Sequence, residues 1–379
     1  MVTWRVPFNR AGLVGTELDS IRDAIANGHI SGDGPFARRA EKQLEELLGA
    51  PRVLLTTSGT HSLELAALLL DLAPGDEVIV PSFTFPTTAS AFALRGAQVV
   101  FGDIRPDTLN LDERKLPDLV TERTRAIVVV HYAGVGCEMD AIVRVADEHG
   151  LTIVEDNAHG LFGTYRGRPL GTFGRVAAQS FHETKNVTCG EGGAVVLNDA
   201  SDIERAEILR EKGTDRKRFF RGEVDKYTWV DLGSSYVMSD LLAAFLAAQL
   251  EQRSSIQDAR RLLWERYDES LRDWSERLGV RRPVVPQHCE QSYHMYYLLL
   301  PSSALRDALI AVLRDQGILA VFHYLPLDRS AMGLRFGRSS GCPVSADVSE
   351  RLVRLPFYTS MTEREQTLVI DAVTAFSPA

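Results

Sequence analysis

A chain of 379 residues, 45% apolar and 25% charged, has the make-up of an ordinary globular protein and enough length for two domains. Its formal charge of -9 argues against nucleic acid or an anionic membrane as partner, since both select for basic surface. Four scattered cysteines without metal-ligand spacing, no signal-peptide core and no bilayer-length apolar run predict a cytoplasmic protein with reduced thiols and no metal.

The chain opens with an extended VPFNRAG, an amphipathic helix expected over 16–27, and a turn, HISGDGP, ending in Pro35. Helical spacing of Phe36, Ala40, Leu44 and Leu47 follows. From Val53 the pattern alternates. VLLTT, EVIVP, AQVVF, AIVVVH and TIVED are short apolar runs bounded by Gly, Pro, Asp or Asn, and helical stretches at 60–72, 84–94 and 139–149 lie between them. Such a pattern predicts an α/β fold, a mostly parallel sheet with helices on both faces. Ligands on these sheets bind at the carboxyl ends of the strands, where Ser58, Phe85, His131 and Asp156 fall.

A hairpin is expected next, from strands at 176–181 and 194–197, and then a charged helix over 202–212. Residues 216–236 form a long polar and aromatic connection rich in Arg and Lys; loops of that length are usually functional or lie at an interface. Helices at 239–253 and 256–271, almost unbroken, lead into a smaller α+β domain with strands near 295–300 and 320–323 and helices at 304–316 and 362–376. The expected division is a large domain over 1–250 and a small one over 251–379.

Three pieces gain meaning together. Ser58-Gly59-Thr60 opens a helix after a strand, and a helix N-terminus is an anion site, although a plain helix cap would read the same. Asp156 ends a buried strand, which reads either as an ordinary Asx turn or as a carboxylate aimed at a pyridine nitrogen. Lys185 sits in a glycine-rich bend; alone it reads as a solvated lysine, but behind the other two it reads as an imine-forming amine and base. In that order they are the parts a pyridoxal phosphate site needs. His159 would hydrogen-bond the ring hydroxyl, Phe85 would stack on the ring, and Ser180 would donate to the phosphate. Cys189, in the same bend, reads as a small filler.

TTSGTHSLELAAL, EVIVPSFTFPTTASA, VHYAG, IVEDNAHG, SFHETKNVTCGEGG and DLGSSYVMSD resemble the successive motifs of the DegT/DnrJ/EryC1/StrS sugar aminotransferases, from VPFNRAGLVGTEL to RLVRLPFY. Within that family SGDGP, FHETKN, REKGT, FFRGEVDKYTW, GSSY and AVFHYLPL are most similar to the TDP-4-oxo-6-deoxy-D-glucose transaminases of the enterobacterial-common-antigen type. The resemblance implies fold type I, with a large sheet domain and a smaller α+β domain. It implies pyridoxal 5'-phosphate as cofactor, alternating with pyridoxamine 5'-phosphate. Lys185 matches the Schiff-base lysine, Asp156 the pyridine-nitrogen partner, Gly59, Thr60 and Ser180 the phosphate cradle, and Phe85 the stacking aromatic. His159 stands where many members have Gln. Ser235 lies in the segment where most members carry an Asn that reaches the phosphate of the neighbouring subunit, and a homodimer is therefore implied.

The expected reaction moves an amino group from L-glutamate to the 4-oxo carbon of TDP-4-oxo-6-deoxy-D-glucose, giving a TDP-4-amino-4,6-dideoxyhexose and 2-oxoglutarate. His323 and Tyr324, at the end of a predicted strand, are candidates to line the sugar pocket. Two alternatives stand beside this reading: a same-family enzyme acting on a 3-oxo or UDP-linked sugar, and a regulator that binds the cofactor without turnover. The presence of Lys185, Asp156, Thr60 and Ser180 together weighs against the second.

Overall fold

The computed structural model describes residues 4–377; the outer ends of both expected domains, 1–3 and 378–379, lie outside the described residues. Five parallel strands come first in the chain: β1 (Arg52–Thr56), β2 (Glu77–Pro81), β3 (Gln98–Gly102), β4 (Thr124–Val130) and β5 (Thr152–Asp156). A small antiparallel patch follows, made by β6 (Thr164–Tyr165), β7 (Arg168–Pro169) and, from far downstream, β10 (Cys289–Glu290). The expected hairpin is β8 (Val176–Ser180) and β9 (Gly193–Leu197). In the main sheet the order is β1-β9-β8-β5-β4-β2-β3-β12, where β12 is Gly337–Ser339, and β9 alone runs antiparallel to its neighbours.

The near-continuous apolar strands follow from burial on both faces. Val78 and Val80 of β2 pack with the helices Gly59–Leu69 and Thr87–Ala93 on one side, while Ile79 faces Met139, Ile142 and Val145 of helix Met139–His149 on the other. At the β1 end, Val53, Leu55 and Val196 meet the helices Pro35–Leu48 and Asp240–Glu251. The C-terminal part has its own core, where helices Arg253–Ser270, Ser303–Asp315 and Glu363–Ala375 close on β11 (Tyr297–Leu299) and β13 (Leu352–Arg354).

The two helices expected over 239–253 and 256–271 are Asp240–Glu251 and Arg253–Ser270, parted by Gln252 alone. Three expectations need correction. The helix placed over 84–94 begins at Thr87, because proline disfavours helical backbone at Phe85 before it and serves itself as the cap. No strand forms over 320–323: β13 is three residues long, and this segment pairs with it only at Val321 opposite Arg354. Finally, helix Ala331–Phe336, strand β12 (Gly337–Ser339) and helix Pro343–Arg351 were not foreseen. β12 returns from the C-terminal part to the large sheet beside β3, held by Arg338, which donates to both oxygens of buried Glu77 at 3.1 and 2.8 Å.

Candidate active site

A cleft of about 820 Å³ opens over the carboxyl ends of the parallel strands, bounded on its other side by residues 322–330 and Arg354 of the C-terminal part. One end is the N-terminus of helix Gly59–Leu69. Ser58 caps it, its hydroxyl accepting from the His61 amide at 3.1 Å, and the first-turn amides have no partner within the helix. Gly59 lies so close to β8 that a Cβ there would sit 2.9 Å from Ser180 Cβ. A side chain would therefore push the helix end off the Ser180 hydroxyl. Gly59→Ala is expected to cost about 1–3 kcal/mol in affinity for whatever anion this end holds; an absorbance titration of the cofactor into cofactor-free protein checks it.

Asp156, at the end of β5, faces the cleft. It accepts from the Thr88 hydroxyl at 2.7 Å and from the Ala158 amide at 3.2 Å, and Thr88 is in turn 2.8 Å from the Thr84 hydroxyl. Burial pushes its carboxyl up, and Thr88 and the nearby Lys185 pull it partly back. Such a carboxylate is matched to a ligand that brings its own positive N–H.

Lys185 stands in the β8–β9 loop between these two ends. Its amide donates to the His182 carbonyl at 2.9 Å. The next residue, Asn186, ties the loop to the C-terminal part, donating to the Ser292 carbonyl at 2.5 Å and to Gln257 Oε1 at 3.0 Å. Burial lowers the Lys185 ammonium to about 8; the Arg354 guanidinium adds to this, and Asp156 opposes it. A lysine with that value is substantially neutral just above pH 8, where an ordinary one is not. Capture of pyridoxal phosphate by cofactor-free protein should therefore accelerate as pH rises through about 8 and level off above it. Stopped-flow absorbance checks this, and a rate still climbing toward pH 10 would contradict it.

The remaining wall is aromatic. His159 and His294 stack at 4.2 Å, Tyr324 Oη lies 3.5 Å from His159 Nε2, and Tyr132 Oη is 2.9 Å from His323 Nδ1. Burial holds all three imidazoles well below their usual values, and the positive charges of Lys185 and Arg354 push the same way. They are neutral at pH 7. Phe85 is 54% exposed at the rim, so one of its faces is open to a ligand and it is not part of the core.

Of the residues singled out from the sequence, Gly59, Thr60, Phe85, Asp156, His159, Ser180, Lys185, His323 and Tyr324 all line this one cleft. Ser235 does not: it is exposed and bridges Glu211. His131, which also ends a strand, is turned away and bonds Glu155 at 2.9 Å. Sequence reading missed Thr88, Asn186, His294 and Arg354. The first two lay in view, in FPTT and TKN, but nothing local marks Thr88 as the partner of a residue 68 positions away.

An anion-holding helix end, a facing carboxylate and an amine of lowered pKa in one cleft fit pyridoxal phosphate. The profile of the DegT/DnrJ/EryC1/StrS aminotransferase family matches residues 13–374. The chain belongs to that family. As a DegT/DnrJ/EryC1/StrS aminotransferase it has fold type I and pyridoxal phosphate as its cofactor. It is 31% identical over 377 residues to the spore coat polysaccharide biosynthesis protein SpsC of Bacillus subtilis, covering 97% of this chain and 96% of that protein. Among solved structures, the aminotransferase TlmJ from Streptoalloteichus hindustanus superposes with a TM-score of 0.88 at 30% identity, over 99% and 98% of the two chains. The sugar aminotransferase CalS13 of Micromonospora echinospora gives 0.88 at 27% identity, over 98% and 99% of the two chains.

Proposed function

We propose that this aminotransferase carries an amino group from L-glutamate to the 4-oxo carbon of TDP-4-oxo-6-deoxy-D-glucose, releasing a TDP-4-amino-4,6-dideoxyhexose and 2-oxoglutarate. The observation that carries the reading is the convergence of Lys185, Asp156 and the Gly59–Thr60 helix end on one cleft that is also wide and partly apolar, with Phe322, Tyr324, Leu325 and Leu327 along it. The sugar as substrate is supported by the relatives, two of which are described as a spore coat polysaccharide biosynthesis protein and a sugar aminotransferase. The 4-oxo, TDP-linked form rests on the shared segments FHETKN, FFRGEVDKYTW and GSSY.

Each side chain has a proposed task. The amides of Gly59 and Thr60 with the Ser180 hydroxyl hold the phosphate. Asp156, aligned by Thr88, keeps the pyridine nitrogen protonated, His159 bonds the ring hydroxyl, and Phe85 covers the ring. Bound there, pyridoxal phosphate supplies an electron sink for the carbon that loses its proton. Lys185 takes that proton on Nζ and returns it on the same face, a task suited to an amine near neutrality. His323 and Tyr324 meet the sugar.

Ser235 and residues 216–236 are proposed to form part of a homodimer interface and to reach the neighbouring site. Phe220, Tyr227, Trp229 and Leu232 of that stretch are all more than half exposed, an unusual amount of apolar surface for one connection. The two-domain division near residue 250 and a cytoplasmic location belong to the same proposal; among the described residues no helix is long and apolar enough to cross a membrane. A panel of TDP- and UDP-linked 3-oxo and 4-oxo sugars, read by NMR of the products, tests the assignment. Preference for a 3-oxo or a UDP-linked member would replace the proposed acceptor.

A further inference from the structure

Residues 292–294 of the C-terminal part form a corner beside the cleft that grips two elements of the site at once. Ser292 donates through Oγ to the His159 carbonyl at 2.5 Å, and its own carbonyl accepts from Asn186 Nδ2 at 2.5 Å. His294 stacks on the His159 ring at 4.2 Å, with 16° between the planes, and its Nδ1 lies 3.0 Å from Asn186 Oδ1. Asn186 follows Lys185 in the chain, so the corner touches both the lysine loop and His159. These bonds also fix a tautomer. A carbonyl can only accept, so the Asn186 atom facing Ser292 is its NH2, and the atom facing His294 is its oxygen. Burial, then His159 and the cations Lys185, Arg260 and Arg354, hold His294 well below its usual value. Being neutral, it carries its proton on Nδ1. The corner is itself firmly held. Tyr293 has a φ of 53°, a left-handed backbone that a residue with a side chain adopts at a cost. Buried Arg260 donates to the Tyr293 carbonyl at 2.9 Å and to the His294 carbonyl at 2.5 Å. The Ser292 amide donates to the Gly134 carbonyl at 3.1 Å, and a Cβ on Gly134 would overlap Ser292 Oγ.

We propose that Ser292 and His294 are positioning residues that set the spacing between the Lys185 amine and His159, so that the two meet adjacent atoms of the cofactor ring. The inference rests on the proposed reading in which His159 bonds the ring hydroxyl, and goes beyond it. In pyridoxal phosphate the aldehyde and the hydroxyl stand on neighbouring ring carbons. The amine that captures the one, joining Nζ to the aldehyde carbon with loss of water, must arrive beside the group that bonds the other. A misplacement of about 1 Å is enough to cost about 100-fold in rate. Yet the two groups come from different loops, His159 after β5 and Lys185 after β8. Among the described residues no hydrogen bond joins their side chains. His159 Nδ1 is buried without a partner, and Nε2 has the Tyr324 hydroxyl at 3.5 Å. The plane of the His159 ring is therefore set by packing, and His294 is the nearest and most nearly parallel of the rings beside it. Packing alone would be met by any flat ring at 294. The bond to Asn186 adds a tie to the lysine loop that packing does not require, and Ser292 repeats the same pair of attachments through other atoms.

The test uses full-length protein stripped of cofactor and two aldehydes, pyridoxal phosphate and its 3-deoxy analogue, which lacks only the ring hydroxyl. Capture of each is followed by the visible absorbance of the lysine-linked form. The readout is the ratio of the two capture rates, because intrinsic differences between the aldehydes cancel when variants are compared. His294→Ala should lower the preference for the hydroxyl-bearing aldehyde about tenfold. His294→Phe keeps a ring for the stack, and His294→Asn keeps a donor where Nδ1 stood; each should recover part of the loss. Ser292→Ala should lower the preference less, since its carbonyl still holds Asn186. Should His294→Ala melt early, the other three variants carry the same comparison. Variants that slow both aldehydes equally, with the wild-type ratio kept, would show a merely structural role and overturn the inference. His159→Ala separates the two levels. If it removes the preference while the His294 and Ser292 variants keep it, the inference alone fails. If it leaves the preference unchanged, the ring-hydroxyl reading of His159 fails and the inference with it. Neither aldehyde involves the amino donor or the sugar, so an error in those assignments leaves this test intact.

Discussion

Lys185→Ala is expected to reduce amino transfer by about ten-thousand-fold or more, in both directions, with the fold and melting temperature retained. Among the described residues lining the cleft Lys185 is the one amine. Arg354 does not release a proton near neutral pH, and the buried His159, His294 and His323 are committed to one another and to the Tyr wall. Lys185→Arg keeps the charge but cannot form the covalent link, and should be equally inactive. Single-turnover kinetics with glutamate would show the loss directly. The visible absorbance of the lysine-linked cofactor should vanish with it, even if the cofactor stays bound. A variant within tenfold of wild type would mean that another group moves the proton.

Asp156→Asn should lower turnover by about a thousand-fold while changing substrate concentrations for half-maximal rate far less. The substitution preserves shape, and the Thr88 hydroxyl can still meet the remaining oxygen. What disappears is the negative charge that would keep the pyridine nitrogen protonated. That charge acts as carbanion character develops, so the loss falls on the chemical step more than on binding. Burial makes the position exacting: it raises the carboxyl in the free protein, so the cation that stabilises its ionised form must come from Lys185 or the ligand. Turnover and spectra of both half-reactions in the variant check this. An unchanged turnover number would remove Asp156 from the chemistry.

Much of the site was legible because parallel sheets concentrate it. Once VLLTT, EVIVP, AIVVVH and TIVED are read as strands covered on both faces, their carboxyl ends must lie side by side, and Thr60, Phe85 and Asp156 come with them. Lys185 was found by its glycine-rich bend. The rest depends on contacts that no local pattern encodes. Tyr132 meets His323 across 191 positions, and Arg338 meets Glu77 across 261. Helix Ala331–Phe336 is six residues with a glycine inside, too short to show a period, and β12 is three residues that pair with the edge of β3. Arg354 lies within RLVRLPFY but carries no signal until the fold brings the end of β13 to the cleft. Ser235 lies outside the cleft and is exposed, so the contact proposed for it would need a second copy of the chain.

The most direct measurement is a two-step visible spectrum of cofactor-saturated protein. Glutamate is added first, then removed, and TDP-4-oxo-6-deoxy-D-glucose is added to the same sample. The absorbance of the Lys185-linked cofactor should be lost with glutamate and return with the keto sugar. Loss without return would retain the aminotransferase and contradict the proposed acceptor. Saturated protein with no such absorbance at the start would contradict the central claim that Lys185 holds the cofactor.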